Sequence, residues 1–79
     1  MKTNGHKTLK KGMSVIYRPS WGHDAPVKVK VEYIELCDCE DAKYGVPVDE
    51  VAIEDIRRST FDLDNGHWAY GFQIDEILG

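Results

Sequence analysis

Residues 60–78 read TFDLDNGHWAYGFQIDEIL, and Asn65 and Gly66 separate two runs in which apolar and polar residues alternate. This pattern is typical of a β-hairpin, because Asn-Gly is the dipeptide preferred in two-residue turns whose central residues have positive φ. The sequence therefore predicts a C-terminal hairpin with both turn residues at positive φ.

The register of the predicted hairpin follows from the two-residue turn. In that register Leu63 lies opposite Trp68, and Phe61 lies opposite Tyr70. The four apolar side chains then share one face, and a shift of one residue would move half of them to the other face. We therefore expect Trp68 and Tyr70 to belong to the core.

Two earlier runs predict further strands. Residues 13–18, MSVIYR, alternate and end at Pro19, which has no N–H to donate to a sheet. Residues 27–36, VKVKVEYIEL, also alternate, but the apolar phase moves by one residue after Tyr33. This phase change indicates a β-bulge or bend near Tyr33 and Ile34, which would let a long strand curl a small sheet.

Residues 46–58 fit two structures. Apolar residues recur at helical spacing from Val48 to Ile56, and acidic residues precede basic ones as a helix dipole favours. This pattern predicts a short helix over about residues 48–57. The alternation around Val51 also fits a brief strand, and periodicity cannot decide between the two in so short a segment.

The chain length and composition predict a single small domain. The 79 residues leave room for one hydrophobic core. Residues 1–11 carry four lysines and, after the first residue, the single apolar side chain of Leu9. We therefore expect a flexible basic tail over residues 1–11 and one small β-barrel domain over residues 12–79.

The sequence also carries signals about location. No apolar run approaches the ~18 residues that a membrane span needs, and polar residues follow Met1 where a signal peptide would be apolar. Cys37 and Cys39 are one residue apart, which favours free thiols in a reducing compartment. We therefore expect a cytoplasmic protein that does not interact with membranes.

The order of predicted elements is similar to that of the SH3-like small β-barrels. A strand, a turn-rich loop, a long bent strand and a tight hairpin are followed by QIDEIL, for which we expect a single helical turn. The resemblance covers roughly residues 12–36 and 59–78, and it is strongest to small bacterial and mobile-element proteins of this shape. It implies a small barrel of four or five strands with a C-terminal hairpin. Together with the short helix that periodicity predicts over about residues 48–57, the expected fold is mainly β.

Residues 19–26, PSWGHDAP, form the turn-rich loop, and Trp21 lies in it without an apolar neighbour in sequence. Binding residues concentrate in loops held by a rigid scaffold. We therefore place a candidate recognition surface at Tyr17, Arg18, Trp21 and His23. The alternative is that Trp21 folds back to close one end of the barrel. The SH3-like resemblance implies that this first loop borders a ligand groove.

Catalytic and metal sites are not indicated by the sequence. Cys37 and Cys39 could join His23 and His67 in a zinc site, but structural zinc sites space their cysteines more widely. Acidic residues beside both cysteines oppose formation of a reactive thiolate. No phosphate-binding loop or other mechanism-bearing motif occurs. We therefore expect no enzyme activity, no cofactor and no metal.

Charge is unevenly distributed along the chain. Residues 1–33 hold seven Lys or Arg against two acidic residues, whereas residues 34–79 hold three against twelve.

The first hypothesis for function is a protein-binding module. The alternative is a nucleic-acid binder, although the pI of about 5.2 disfavours it. That binder would use Lys7, Lys10, Lys11, Arg18, Lys28 and Lys30, with Tyr17 and Trp21 as stacking platforms.

The uneven charge distribution also fits two further hypotheses. In the first, the acidic half presents a decoy surface to a basic partner. In the second, strands from the two halves lie side by side and their charges neutralise each other across the sheet, so that the distribution has no functional meaning.

Overall fold

Short β-strands make up most of the regular structure. The computed structural model describes residues 1–37 and 45–79, and within them the predicted mainly β fold is confirmed. The strands are β1 (Thr8–Lys10), β2 (Ser14–Tyr17), β3 (Val27–Leu36), β4 (Val46–Val48), β5 (Glu50–Ala52), β6 (Ser59–Leu63), β7 (Trp68–Tyr70) and β8 (Ile74–Ile77). Short helical segments accompany them: α1 (Pro19–Gly22) and two 3₁₀ helices, Ile53–Arg58 and Gly71–Gln73. No helix in the described residues has the length and hydrophobicity to cross a membrane.

The larger sheet is antiparallel and has the strand order β7-β6-β3-β2-β8, with β4 also paired to β3. Strands β1 and β5 form a separate two-stranded sheet. Within residues 1–37 and 45–79 no pairing joins β7 to β8, so the described strands do not form a closed barrel. The strands also outnumber the four or five predicted, because the segments expected to form a tail and a helix contribute β1, β4 and β5.

The predicted irregularity in the long third strand is present. Its pairing with β6 changes register between Val31 and Tyr33. Buried positions change phase at the same point, from Val29 and Val31 before it to Ile34 after it. The bulge therefore lets one strand pair with β2 through its first half and with β6 through its second half.

The C-terminal hairpin is present, but its predicted register is wrong by one residue. Asp62 lies opposite Trp68 and Phe61 lies opposite Ala69. The Leu63 N–H donates to the His67 carbonyl at 2.9 Å, so three residues rather than two form the loop. The Gly66 N–H donates to the Leu63 carbonyl at 3.2 Å.

A different turn type explains the shift. Gly66 has φ of 84°, but Asn65 is not among the residues with positive φ. A type I turn followed by a left-handed glycine gives this three-residue loop. The Asn65 side chain stabilises it by accepting a hydrogen bond from the His67 N–H and donating one to the Tyr17 hydroxyl, each at 3.0 Å.

The observed register changes which side chains enter the core. Phe61, Leu63 and Ala69 are buried, whereas Trp68 and Tyr70 lie on the opposite face. The core is formed by apolar residues from most strands and from the first 3₁₀ helix: Leu9, Val15, Tyr17, Val29, Val31, Ile34, Val51, Ile56, Phe61, Leu63, Ala69, Ile74 and Ile77.

The N-terminal segment differs from the flexible tail expected over residues 1–11. Leu9 is fully buried, and β1 pairs with β5 so that Leu9 faces Val51. The Lys2 N–H donates to the Asp75 carbonyl at 2.7 Å, which places the first residues beside β8. The segment has few apolar residues, but the burial of Leu9 and these backbone hydrogen bonds are enough to hold it against the rest of the fold.

The two structures considered for residues 46–58 both occur, in succession. Strands β4 and β5 come first, and the helical part is a 3₁₀ helix confined to Ile53–Arg58. The prediction of a helical turn for QIDEIL, residues 73–78, is wrong. Four of its residues form β8, and the helical turn lies immediately before that strand, at Gly71–Gln73.

The two 3₁₀ helices meet at Gly71. A Cβ atom built on this residue would overlap the Ile56 carbonyl group and lie 2.9 Å from the Arg57 Cα. Because the obstructing atoms are backbone, no side-chain rotation can relieve the overlap. Gly71 therefore fixes how closely the second 3₁₀ helix approaches the first.

Two glycine substitutions should differ in severity. We expect Gly71→Ala to lower the free energy of unfolding by about 3 kcal/mol, because the backbone of the first 3₁₀ helix must move. Gly66→Ala meets no atom within 4 Å and should lose only about 1 kcal/mol, from its positive φ. Urea denaturation of both variants measures the difference, and equal losses would contradict the close approach at Gly71.

Candidate functional site

Four aromatic side chains lie together on the surface. They form what we call the aromatic patch: Trp21, Trp68, Tyr70 and Phe72. Trp21 is 64% exposed, and Trp68 and Phe72 are each 54% exposed. Large aromatic side chains usually bury most of their area, so an exposed cluster of this size is typical of an interaction surface.

Tyr70 is the centre of the aromatic patch and is partly buried. Its ring centroid lies 4.8 Å from that of Trp68 in a T-shaped arrangement, and 5.3 Å from that of Trp21. The Phe72 ring stacks on it at 5.7 Å with an interplanar angle of 12°. Aromatic pairs at these separations contribute about 0.5–1.5 kcal/mol each, so the rings hold one another in place.

Two adjacent elements supply three of the four rings. Trp68 and Tyr70 alternate with buried Ala69 on β7, and Phe72 follows in the second 3₁₀ helix. The fourth ring, that of Trp21, comes from the α1 turn, which is distant in sequence. The hairpin register decides which face of the sheet Trp68 and Tyr70 occupy. A two-residue turn would place Trp68 opposite buried Leu63, whereas the observed loop places it opposite exposed Asp62.

Gln73 connects the two parts of the chain that carry the aromatic patch. It is 6% exposed. Its Oε1 accepts a hydrogen bond from the Tyr70 N–H, and its Nε2 donates one to the Arg18 carbonyl, both at 2.9 Å. The Arg18 N–H in turn donates to the Gln73 carbonyl at 2.9 Å. The end of β7 and the start of the Trp21 loop are thus held at a fixed separation.

The turn that carries Trp21 has an uncommon backbone conformation. Ser20 and Trp21 have φ of 53° and 59°, and Gly22 has φ of 91°. A left-handed conformation costs a residue with a Cβ roughly 1–2 kcal/mol, and such costs concentrate at functional sites. The Ser20 hydroxyl donates to the Asp24 carboxylate at 2.6 Å, which closes the turn.

Three cavities share Trp68 as a wall. One, of about 190 Å³, is also lined by Ser20, Trp21, Tyr70 and Gln73. The second, of about 310 Å³, is also lined by Tyr17, Pro19, Ser20, Asp24, His67 and Gln73. The third, of about 530 Å³, is also lined by Glu32, Tyr33, Asp62, Leu63, Gly66 and His67. Because they adjoin at Trp68, we refer to these three cavities together as the Trp68 groove.

The charges along the Trp68 groove are acidic. Asp24, Glu32 and Asp62 contribute carboxylates, whereas the described lining residues include no Lys or Arg. Arg18 lies outside this lining, and its Nε is 2.6 Å from Asp75 Oδ2. The groove therefore combines aromatic surface with negative charge.

The structure separates the four predicted site residues. Trp21 lies in the aromatic patch, and its exposure means that it does not close one end of a barrel. Tyr17 is 2% exposed and serves the core and the hairpin turn. Arg18 pairs with Asp75, and His23 is exposed beyond the α1 turn.

Sequence reasoning missed the other three patch residues. The assumed register placed Trp68 and Tyr70 in the core, and nothing in the local sequence singled out Phe72. If a three-residue loop at Asn65 and Gly66 had been assumed, Trp68 and Tyr70 would have been predicted on the exposed face. That loop places both side chains on the face opposite to Phe61 and Leu63.

Ion pairs connect the basic and acidic halves of the chain. Lys10 lies 3.8 Å from Glu50, and Lys11 lies 3.5 Å from Asp49. Lys2 and Arg18 pair with acidic residues of β8 in the same way. Lys10 and Glu50 are partners on paired strands β1 and β5, so the expected neutralisation between neighbouring strands is confirmed for that pair. Three of the basic residues considered for nucleic-acid binding, Lys10, Lys11 and Arg18, are engaged in ion pairs.

Metal-binding groups do not assemble in residues 1–37 and 45–79: no cluster of three or more His, Cys, Asp or Glu is placed to hold an ion. Cys37 is an exposed free thiol. Cys39, the other cysteine considered for a zinc site, lies outside the described residues.

The conformation of the Trp21 turn predicts an unusual order of stabilities. Trp21→Ala should lose no more than about 1 kcal/mol, because the ring is mostly exposed. Trp21→Gly should be more stable than Trp21→Ala by about 1 kcal/mol, because glycine adopts the left-handed conformation without strain. Urea denaturation tests both variants. The reverse order would contradict the left-handed turn, and complete unfolding of both would show that Trp21 is a core residue.

The two-sided role of Gln73 can be tested with Gln73→Glu. This change retains the acceptor for Tyr70 but places a carboxylate against the Arg18 carbonyl, so we expect a loss of about 1–3 kcal/mol at neutral pH. The loss should shrink as the pH falls, because a protonated carboxyl regains a donor. Denaturation curves across a pH series measure this. Gln73→Leu, which removes both hydrogen bonds, is the control and should lack the pH-dependent recovery.

No protein-family model, curated protein or solved structure matches the chain.

Proposed function

We infer that this chain is a non-catalytic binding module that engages a protein partner through the aromatic patch. The observation that carries the proposal is the set of four aromatic rings in contact around Tyr70, three of them more than half exposed. Trp and Tyr are enriched among the residues that dominate binding energy at protein interfaces. A rigid, aromatic and partly concave surface of this kind supports recognition of a protein segment.

An SH3-like arrangement is part of the same proposal. The strand order β8-β2-β3-β6-β7 supports it, as do the bent third strand and the 3₁₀ turn before the last strand. The aromatic patch then lies where the first loop and the hairpin meet. A cytoplasmic location is also proposed, and the exposed free thiol of Cys37 supports a reducing compartment.

The two other functions considered have less support. A nucleic-acid surface needs clustered positive charge, but Lys10, Lys11 and Arg18 are paired with carboxylates and the Trp68 groove carries acidic residues. An acidic decoy would act through charge alone. It gives no reason for exposed aromatic rings or for the strained turn that holds Trp21.

The proposal can be tested by selecting peptides from a random displayed library on the immobilised protein. Selected peptides should bind the wild type and lose at least about tenfold in affinity with Trp21→Ala and with Trp68→Ala, because each variant removes one of the exposed rings of the patch. Leu78→Ala is the matched control, since Leu78 is an exposed apolar residue outside the patch. Isothermal titration measures the affinities, and thermal denaturation confirms that each variant is folded.

Three results would contradict the proposal. Selected peptides could bind both tryptophan variants as well as the wild type, or selection could enrich no peptide. The third is tight binding of single-stranded oligothymidylate at the patch, with an affinity that falls steeply as salt is added.

A further inference from the structure

A carboxylate lies between two aromatic side chains on the exposed face of the larger sheet. Asp62 on β6 pairs with Tyr33 on β3 on one side and with Trp68 on β7 on the other. Cross-strand partners point to the same face, and all three residues line the largest cavity of the Trp68 groove. The three side chains therefore form a row across the sheet.

The hydrogen-bond pattern brings two members of this row close together. The Leu63 N–H donates to the His67 carbonyl, which makes that pair hydrogen-bonded. The next pair along the ladder, Asp62 with Trp68, is then a non-hydrogen-bonded pair, in which the Cα atoms and the side chains approach more closely. The Asp62 and Trp68 side chains therefore leave the sheet from closely spaced Cα atoms on the same face.

The Asp62 carboxylate is exposed and has no hydrogen bond or ion pair with any residue that the structure describes. Neighbouring carboxylates differ in this respect. Asp64 accepts a hydrogen bond from the Lys30 N–H at 3.1 Å, and Asp24 accepts one from Ser20. Asp62 is therefore available to a ligand, and exposed Glu32 adds a second negative charge to the same cavity.

We propose that the row of Tyr33, Asp62 and Trp68 binds an arginine side chain of the partner protein segment, while the aromatic patch binds the apolar residues beside that arginine. This inference rests on the proposed function and names the chemistry of its ligand. Charge complementarity supports it, because the described lining of the Trp68 groove has three carboxylates and no Lys or Arg.

The geometry favours a guanidinium over an ammonium group. A guanidinium is planar, is weakly hydrated, stacks on aromatic rings and can donate two parallel hydrogen bonds to one carboxylate. Tyr33 and Trp68 flank Asp62 in the strand pairing and line the same cavity, so a guanidinium bound there can reach both an aromatic side chain and the carboxylate. An ammonium group is a compact, strongly hydrated charge that can use the carboxylate but gains less from the rings.

The test uses four acetylated and amidated peptides that differ at one position. The first is Gly-Leu-Arg-Leu-Gly, and the others carry lysine, citrulline or glutamate in place of arginine. Citrulline keeps the shape of arginine without its charge. Binding to the intact chain is followed by NMR, through the backbone N–H of Asp62 and the indole N–H groups of Trp21 and Trp68.

We expect saturable binding of the arginine peptide, with a dissociation constant of about 1 mM or tighter. Its affinity should exceed that of the citrulline peptide about tenfold, with the lysine peptide between them. Asp62→Asn should lower the affinity for the arginine peptide by about the same factor. Glu54→Gln removes an equal charge from an exposed position outside the groove and should have little effect.

Several outcomes would overturn the arginine site. The citrulline peptide could bind as tightly as the arginine peptide, or Glu54→Gln could weaken binding as much as Asp62→Asn. If all four peptides shift the Trp21 indole alike while the Asp62 signal stays unchanged, the aromatic patch binds protein segments but the row does not bind arginine. If no peptide shifts any of these signals, the arginine inference fails whatever the library selection returns.

Discussion

The three-residue loop between β6 and β7 determines which side chains of the hairpin reach water. A strand alternates its side chains between two faces, so one extra residue in a turn exchanges the faces of the strand that follows. Here the exchange places Ala69 against the core and turns Trp68 outward beside Asp62. The Asn65 side chain holds the loop in this form by bridging the turn to Tyr17 at the end of β2. A small polar contact at the hairpin tip thus supports the position of the exposed rings on β7.

The segment after β7 fixes the position of the hairpin relative to the rest of the molecule. Gly71 lets the chain pass against the Ile56 carbonyl, and Gln73 then satisfies backbone groups of both Tyr70 and Arg18. Because the partners in these contacts are backbone atoms, the geometry cannot relax by rotation of the partners' side chains. The hairpin and the Trp21 loop are therefore joined by partly buried hydrogen bonds, although Gln73 and Arg18 are 55 residues apart in sequence.

Much of the fold could be predicted from sequence pattern, whereas most of the aromatic patch could not. Alternation identified the strands at residues 13–18 and 27–36, and the phase change near Tyr33 identified the bulge. The hairpin was also identified, but Asn-Gly occurs in two-residue and three-residue loops, and local sequence did not distinguish them. That one-residue difference concealed Trp68 and Tyr70 as surface residues. That residues 1–11 pack against the rest of the fold was not predicted, for another reason. The burial of Leu9 depends on pairing with β5, far along the chain, which an argument from local composition cannot detect.

The left-handed turn at Ser20 and Trp21 has a consequence for the thermodynamics of recognition. A tryptophan on an ordinary loop samples many orientations, and a ligand that selects one of them loses conformational entropy. In this chain the backbone of the turn is already confined, and the ring rests against Tyr70 before any partner arrives. The entropy loss is thus incurred during folding and not during association. A partner of the kind proposed above would meet a surface that already has its bound shape, and the free and bound forms of the protein would then differ little.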